Sequence, residues 1–462
     1  MKLSVFRKPM LAMFLFMAML CAPHDARAFC GFYVGKADAS LINHGSQVVM
    51  AHHDNKTVIS LMNDYQGEPS EFALVVPVPV VLQKGQVHTG DRELFQKLDA
   101  YSAPRLVEYF DPDPCQMMGY GAGAAVGAAV PRAMAMSRTS DEANALGVTV
   151  EAEYTVGEYD IVILSAKESS GLETWLQQNG YKIPFGARRA LEPYIRQDMK
   201  FFVAKVNLGE HQRTGLSYLR PIQFAFESPK FMLPIRLGMI NAQGPQDLVV
   251  YMLTQDGRVE TTNYRTTKLP TGLNIPEYVR AEFADFYKAM FDTQVKRNDM
   301  RAVFTEYVWN MGSCDPCAGP PLSQEELRSL GAFWLDDQPG GPRFRPGAMM
   351  MPYPQPFEQV PVTLTRLHVR YSADTFPEDL VFQETQDKEN FQARYVLQHA
   401  WNGSPNACSQ ARNYFENLQK RRALEAETLA DLTGWNLEDV IKKAGLPAGS
   451  EPKQWWQGIW GS

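Results

Sequence analysis

The chain has 462 residues, with 45 Lys and Arg against 52 Asp and Glu, a formal net charge of −7 and 45% hydrophobic residues. That acidic balance argues against nucleic acid as a partner, because neutralised phosphates supply most of such affinity, and against docking on anionic lipid. The composition is that of a globular protein rather than a disordered one, and the length suggests two or three domains at about 150 residues each.

The N-terminus reads as a secretory leader. Lys2, Arg7 and Lys8 form a basic region, Met10 to Ala22 is apolar apart from Cys21, and Ala26-Arg27-Ala28 places small residues where a signal peptidase reads. The apolar core is too short to span a bilayer, which takes about 20 residues. Leu20 stands where a lipoprotein signal wants a small residue, so cleavage is expected after Ala28 rather than before Cys21. Residues 1–28 carry four basic residues and one acid, which leaves 41 basic against 51 acidic residues in a mature chain of 434, or −10. With no later apolar stretch of spanning length, the mature protein is expected to be exported, in the periplasm, without a transmembrane segment.

Strands dominate the next region. Val48-Val49-Met50-Ala51 and Thr57-Val58-Ile59-Ser60-Leu61-Met62 flank Asp54-Asn55-Lys56 and predict a hairpin. In FALVVPVPVVL, Pro77 and Pro79 both lack an N–H on the same edge, which predicts an edge strand. Asp91 to Leu98 reads as a short helix, and Arg105 to Phe110 as extended or helical. Residues 116–147 are Gly, Ala and Met with few large hydrophobes and read as a flexible insertion. Gly121, Gly123 and Gly127 imitate a dinucleotide fingerprint there, but no strand precedes them and no helix follows.

From Val148 the alternation of Val148, Val150, Ala152, Tyr154 and Val156 with polar residues predicts a strand whose outer face carries Glu151 and Glu153, and Asp160 to Leu164 is its hairpin partner. Leu172, Trp175 and Leu176 mark a helix stopped by Asn179-Gly180. Strands are expected at Phe201 to Asn207, Ser217 to Phe226, Phe231 to Ile240 and Leu248 to Leu253. Val279, Phe283, Phe286 and Met290 predict an amphipathic helix, and Met300 to Asn310 reads as a second helical stretch. Ser323 with Glu326 forms a capping box at the start of a further helix. Residues 336–361 are a Pro/Gly/Met-rich linker or loop; Val362 to Tyr371 and Phe391 to His399 read as strands, followed by a long helix from Ala407 and a short one near Leu437 to Lys443. Strands and helices come in runs, which predicts an α+β fold with a mostly antiparallel, strand-rich body at 29–335 and a C-terminal part at 362–462 that ends in helices.

Five cysteines remain after the leader: Cys30, Cys115, Cys314, Cys317 and Cys408. An oxidising compartment makes disulfides the default, and an odd count leaves one thiol over. Asp-Pro-Cys occurs twice, at 113–115 and 315–317. Proline extends the preceding Asp, whose carboxylate can then accept the cysteine N–H two residues on, an Asx turn that holds the cysteine in place. We therefore expect two bridges drawn from Cys30, Cys115, Cys314 and Cys317, with Cys408 as the leftover thiol. A redox reading of Cys314-Asp315-Pro316-Cys317 is weak, because Gly319-Pro320-Pro321 prevents the helix that would lower a thiol pKa and Asp315 repels a thiolate. A zinc reading lacks a second CxxC, and His368, His399 and Cys408 are not spaced to complete one. His52 and His53 are neighbours on a strand and point to opposite faces, so one ion cannot readily take both. Met117, Met118, Met134, Met136, Met349, Met350 and Met351 are thioethers of the kind that bind Cu(I) or absorb oxidation, set in low-complexity sequence. Trp455, Trp456 and Trp460 close the chain and suit packing or a partner contact.

Long, ordered segments carry a resemblance: FCGFYVGKADASL, EFALVVPVPVVL, LDAYSAPRLVEYFDPDPC, EAEYTVGEYDIVILSAKES, MKFFVAKVNL, SYLRPIQFAFESPKFMLPIRLG, CDPC, RLHVRY and FPEDLVFQET. In these the chain resembles an exported bacterial family catalogued as domain of unknown function 2330. The resemblance departs at the two low-complexity loops and at Ser313, where the family carries a bulky aromatic. It implies an extracytoplasmic protein and no particular activity, catalytic residue or cofactor. No nucleophile elbow, phosphate loop or H-E-x-x-H motif is present. The expectation is an exported envelope protein that binds or supports an envelope partner without catalysis; the alternatives are an enzyme whose site is assembled from distant residues, or a thiol–disulfide or copper-handling protein.

Overall fold

A computed structural model describes residues 32–35, 42–66, 72–115, 147–179, 186–216, 218–242, 244–316, 318–336 and 360–447. In chain order the first part comprises β1 (Phe32–Gly35), β2 (Ile42–His53), β3 (Lys56–Gln66), β4 (Phe72–Val78), β5 (Val87–Thr89), α1 (Arg92–Ser102) and β6 (Arg105–Phe110). Then follow β7 (Val148–Val156), β8 (Tyr159–Ala166), α2 (Ser169–Gln178), α3 (Ala187–Arg196), β9 (Lys200–Val206), α4 (Leu208–Thr214), β10 (Ile222–Glu227) and β11 (Met232–Leu233). The rest is β12 (Gln246–Thr254), β13 (Val259–Thr261), β14 (Arg265–Lys268), β15 (Leu273–Asn274), α5 (Phe283–Arg297), β16 (Ala302–Asn310), α6 (Gln324–Ser329), β17 (Thr363–Tyr371), β18 (Leu380–Glu384), β19 (Phe391–Gln392), β20 (Arg394–His399), α7 (Ser409–Thr433) and α8 (Leu437–Lys443).

Two sheets face each other. A nine-stranded sheet runs β14-β16-β17-β12-β2-β3-β10-β5 with β19 beside β16, and a five-stranded sheet runs β1-β4-β9-β8-β7. Between them Val48, Met50, Val250, Met252, Leu367 and Val369 meet Leu74, Val76, Ile161, Ile163, Phe202 and Ala204 in one dry core. The alternate residues Val75, Leu164, Phe201 and Val203 turn outward and are covered by α2 and α3 through Leu172, Leu176, Leu191 and Tyr194. The far face of the nine-stranded sheet is covered by α1 and α6 over part of its length. Helices α5, α7 and α8 cover the rest of that face. Strands buried on both faces read as continuous apolar runs, which is why FALVV and KFFVAKV show little alternation. This is the expected α+β fold with C-terminal helices; β2 with β12 and β14 with β16 are parallel pairs in an otherwise largely antiparallel arrangement.

Local signals held where they were strong. Asp54, at φ 53°, closes the β2–β3 hairpin with His53 opposite Lys56. Ser323 and Glu326 exchange both bonds of the capping box at α6, and Asp91 caps α1 through the Glu93 N–H. Several expectations need correction. The strand expected from Phe231 to Ile240 is only the two-residue β11, followed by a 3-10 helix at Leu237–Asn241. The proline-bearing strand β4 is internal, not at an edge: β1 pairs Phe72 to Val75 and stops before Pro77, and from there β4 keeps only its β9 partner, with Pro77 opposite Phe201. The stretch expected to be helical from Met300 to Asn310 instead carries strand β16 (Ala302–Asn310), as Val303, Phe304, Thr305, Tyr307, Val308 and Trp309 suit a pleated surface. In β7 a register shift between Val150 and Ala152 leaves Val150 exposed, and the inward alternation holds only from Ala152 onward. Strand β17, which follows residues 337–359 in sequence, is seated between β12 and β16, so segments on both sides of that stretch share one sheet.

Cys115 is bonded to Cys408, with Cα atoms 5.9 Å apart and a sequence separation of 293. This corrects the assignment of Cys408 as the leftover thiol. β6 and β20 are parallel neighbours, so both leave their sheet at the same end and deliver the two cysteines to one place. The Asx turn is present at Asp113, whose Oδ1 accepts the Cys115 N–H at 2.8 Å. Cys30 and Cys317 lie outside the described residues, and Cys314 is exposed with a free thiol. A bridge closing so long a loop stabilises by about 2–5 kcal/mol. Cys408→Ser is expected to lose that amount in urea unfolding, and reductant should reproduce the loss in the native protein without adding to it in the variant.

Candidate functional site

The largest concentration of buried charge lies where α5 and α1 cross the outer face of the nine-stranded sheet. β17 aims Arg366, His368 and Arg370 at one face, because alternate strand residues share a side, while Leu367, Val369 and Tyr371 fill the core between the sheets. β16 supplies Glu306, the extra residue of a bulge: Thr305 pairs with Leu367 and Tyr307 with Arg366, leaving Glu306 between them. β12 supplies Asp247 and Tyr251, α1 supplies Asp99, and α5 supplies Tyr287, Phe291 and Asp292.

These groups form a ladder of alternating sign. Asp99 Oδ1 accepts from Arg366 Nη1 at 2.6 Å and from the Tyr251 hydroxyl at 2.7 Å. Arg366 Nε donates to Glu306 Oε2 at 2.6 Å. Glu306 Oε1 takes His368 Nδ1 at 2.9 Å and the Tyr287 hydroxyl in a short contact. His368 Nε2 faces Asp247 Oδ1 at 3.7 Å. Asp247 is held in a two-toothed pair by Arg370 Nε and Nη2, each at 2.8 Å, and Arg370 Nη1 reaches Asp292. The His368 ring stacks on Phe291 at 3.8 Å and 5.2 Å separates Arg370 from the same ring, so an aromatic side chain of α5 lines the ladder.

Glu306 is 0% exposed, and a lone ionised carboxylate there would be prohibitive. Burial works to raise its pKa, but the charges of His368 and Arg366 and the hydrogen bonds from His368 and Tyr287 outweigh it and bring it down to about 2. For His368, burial works downward; Glu306 and Asp247 overcome it and hold the imidazole above its ordinary value. Burial likewise opposes Asp247, which His368 and Arg370 together keep well below the usual carboxylate range. The hydroxyls of Tyr287 and Tyr251 are pushed up, first of all by burial, and stay protonated. Chemically, Glu306 on Nδ1 and Asp247 facing Nε2 favour the charged form of the ring. In that form it offers no free lone pair to a substrate, which a general base requires.

The candidates read from the sequence fall elsewhere. His52 stacks on Phe231 at 3.8 Å with Nδ1 2.8 Å from Thr57 Oγ1, while His53 faces Trp334 on the other side of the sheet, so the two rings do diverge. Asp315 of the CDPC stretch is buried and accepts from Tyr307 at 2.9 Å and Gln392 at 2.8 Å, which ties the stretch to β16 and β19 while Cys314 beside it stays exposed. Glu151 accepts from Ser165 in the β7–β8 hairpin. Met117, Met118, Met134, Met136, Met349, Met350, Met351 and the three C-terminal tryptophans lie outside the described residues. Among the described residues no group of three or more His, Cys, Asp or Glu side chains is placed to hold a metal ion. The ladder itself was missed. Its sequence signal is the period-two run Arg366-Leu367-His368-Val369-Arg370, which puts three basic residues on one face of a strand and apolar residues on the other.

Two outcomes follow. Removing one partner of a buried ion pair costs about 3–5 kcal/mol, so Arg366→Met should lower urea stability by that amount, and adding Glu306→Gln should recover part of it. Burial and then His53 depress the pKa of His52 to about 4. Its contribution to stability is therefore present above pH 6.5 and lost as pH falls through 4, and His52→Gln should remove up to about 3 kcal/mol of the acid-side loss measured by unfolding across that window.

A family model described as an uncharacterized protein conserved in bacteria (DUF2330) matches residues 24–383, a span that includes every member of the ladder. No curated protein matches the chain, and no solved structure does. With well over half of its length inside that match, the chain belongs to the bacterial family DUF2330.

Proposed function

We propose that this protein is an exported component of the bacterial envelope that acts without catalysis, as a disulfide-braced binding or structural module. The observation that carries the reading is the closure of the Asp99–Arg366–Glu306–His368–Asp247–Arg370–Asp292 ladder, in which each charge answers its neighbours and both nitrogens of the histidine are engaged. Such an arrangement spends its electrostatics on joining α1 and α5 to the sheet. A catalytic site would keep at least one group poised toward a substrate. Export is supported by the leader-like N-terminus and by the Cys115–Cys408 bridge, which suits an oxidising compartment. Among the described residues no helix is long and apolar enough to cross a membrane.

A second reading, thiol chemistry, is favoured by one observation, the exposed free thiol of Cys314. Export is tested by fractionating cells and sequencing the protein's N-terminus: it should begin at Phe29 and yield the Cys115–Cys408 peptide without reductant, whereas an intact leader in the cytosol would end this reading. The non-catalytic assignment is tested by diethyl pyrocarbonate at pH 7. His368 should stay unmodified in the folded protein and react on unfolding; rapid modification of the native protein would mean an available imidazole.

A further inference from the structure

Helix α5 stands between the sheet and the C-terminal helices. One side of it packs on α7 and α8 through the core that holds Phe286, Met290, Leu429, Leu432 and Val440, and Arg297 pairs with Asp431 of α7. Its sheet side is joined to the ladder by Tyr287, Phe291 and Asp292, and of these Tyr287 and Phe291 converge on His368. The charged and titratable groups around that imidazole are Glu306 from β16, Asp247 from β12, Tyr287 and Asp292 from α5, and Arg366 and Arg370 on its own strand. Four carboxylates (Asp99, Glu306, Asp247 and Asp292) stand against two guanidiniums, so the imidazolium is needed to bring the ladder near balance.

We propose that His368 is a proton-operated latch: with its proton it draws Glu306 and Asp247 together under α5, and on losing it the ladder loosens and α5, with the C-terminal helices behind it, lifts in its packing on the sheet. The unprotonated ring can donate through one nitrogen only. It would leave either the buried Glu306 or the half-buried Asp247 facing a lone pair, and the Tyr287 hydroxyl would be drawn between Glu306 and the ring. Protons have a route, because the Asp247 end of the ladder is open to water: its side chain is 25% exposed and that of Asp292 33%. The sign follows from the cluster. A histidine favoured in its charged form by the fold contributes stability that is complete below its unfolded value of 6.5 and is lost as pH rises through the higher folded value. The latch is therefore shut on the acidic side of that folded value and opens as pH rises through it. An envelope protein would meet such a change directly from outside the cell; the latch itself follows from the ladder's geometry and holds in any compartment.

The test is hydrogen exchange read by mass spectrometry on the mature, disulfide-intact protein from pH 6 to 9, with rates corrected for intrinsic exchange. Protection of α5 should fall on the order of tenfold, at most tenfold per pH unit for one proton, while β8 and β9 of the five-stranded sheet serve as the internal reference. His368→Gln should give a lower protection of α5 that no longer changes with pH. Asp247→Asn, which leaves Glu306 in place, should move the loss of protection to lower pH. The latch is overturned if α5 protection in the native protein is flat across this range, if α5 and the reference strands lose it in parallel, or if Asp247→Asn keeps the native midpoint. Cell fractionation and the position of the mature N-terminus do not depend on the charge of His368, so the latch and the export reading can fail separately.

Discussion

One carboxylate, Glu306, sets terms for much of this structure. It is fully buried on a β-bulge of the nine-stranded sheet and stays ionised. Desolvating a charge costs several kcal/mol, so partners must be delivered to it from wherever the chain can reach. They come from β17 as Arg366 and His368 and from α5 as Tyr287, and the first two each face a further carboxylate, Asp99 and Asp247. The result is a line of charge across three strands and two helices. Replacing such a ladder with apolar residues of similar volume is often neutral or stabilising. Its value here is positional: it accepts one docking of α1 and α5 on the sheet, where apolar contacts alone would tolerate several.

The disulfide acts on a different scale. Cys115 follows β6 and Cys408 immediately precedes α7, so the bridge ties a segment inside the family match to one beyond residue 383. Around it Asp111 accepts from Tyr414 and Arg421 of α7 and from Gln398 of β20, and the Trp401, Tyr414 and Phe415 rings pack together. The C-terminal helices are thus fastened twice, covalently at the β6 end and through α5 at the ladder. Because α7 and α8 share a core with α5, Phe304 and Tyr395, residues past the family match are as much part of the fold as those within it.

Legibility in the sequence followed the range of each interaction. The β2–β3 hairpin, the α6 capping box, the α1 cap and the Asp113 Asx turn were readable because all their parts lie within a few residues. The strand β16 was misread as a helix: Phe304 and Val308, four residues apart, imitate a helical face, and the bulge at Glu306 breaks the period of two that would have exposed the strand. The edge position given to β4 failed for a related reason, since two prolines show which N–H groups are missing but not where a partner strand will stop.

Composition, the leader-like start and the turn that holds Cys115 were determined by sequence alone, and so were most of the local elements, because helix caps, hairpin turns and apolar runs act through neighbours along the chain. The sign and number of charges on β17 were also plain in Arg366, His368 and Arg370. Only the tertiary structure decided that these cations meet Glu306, Asp247 and Asp99, that Cys115 finds Cys408, and that β17 enters the middle of the sheet. The physical reason is that pairing across 60 to 293 residues depends on which strands neighbour one another, and strand order is set by the packing of all the layers together rather than by any segment's own preference.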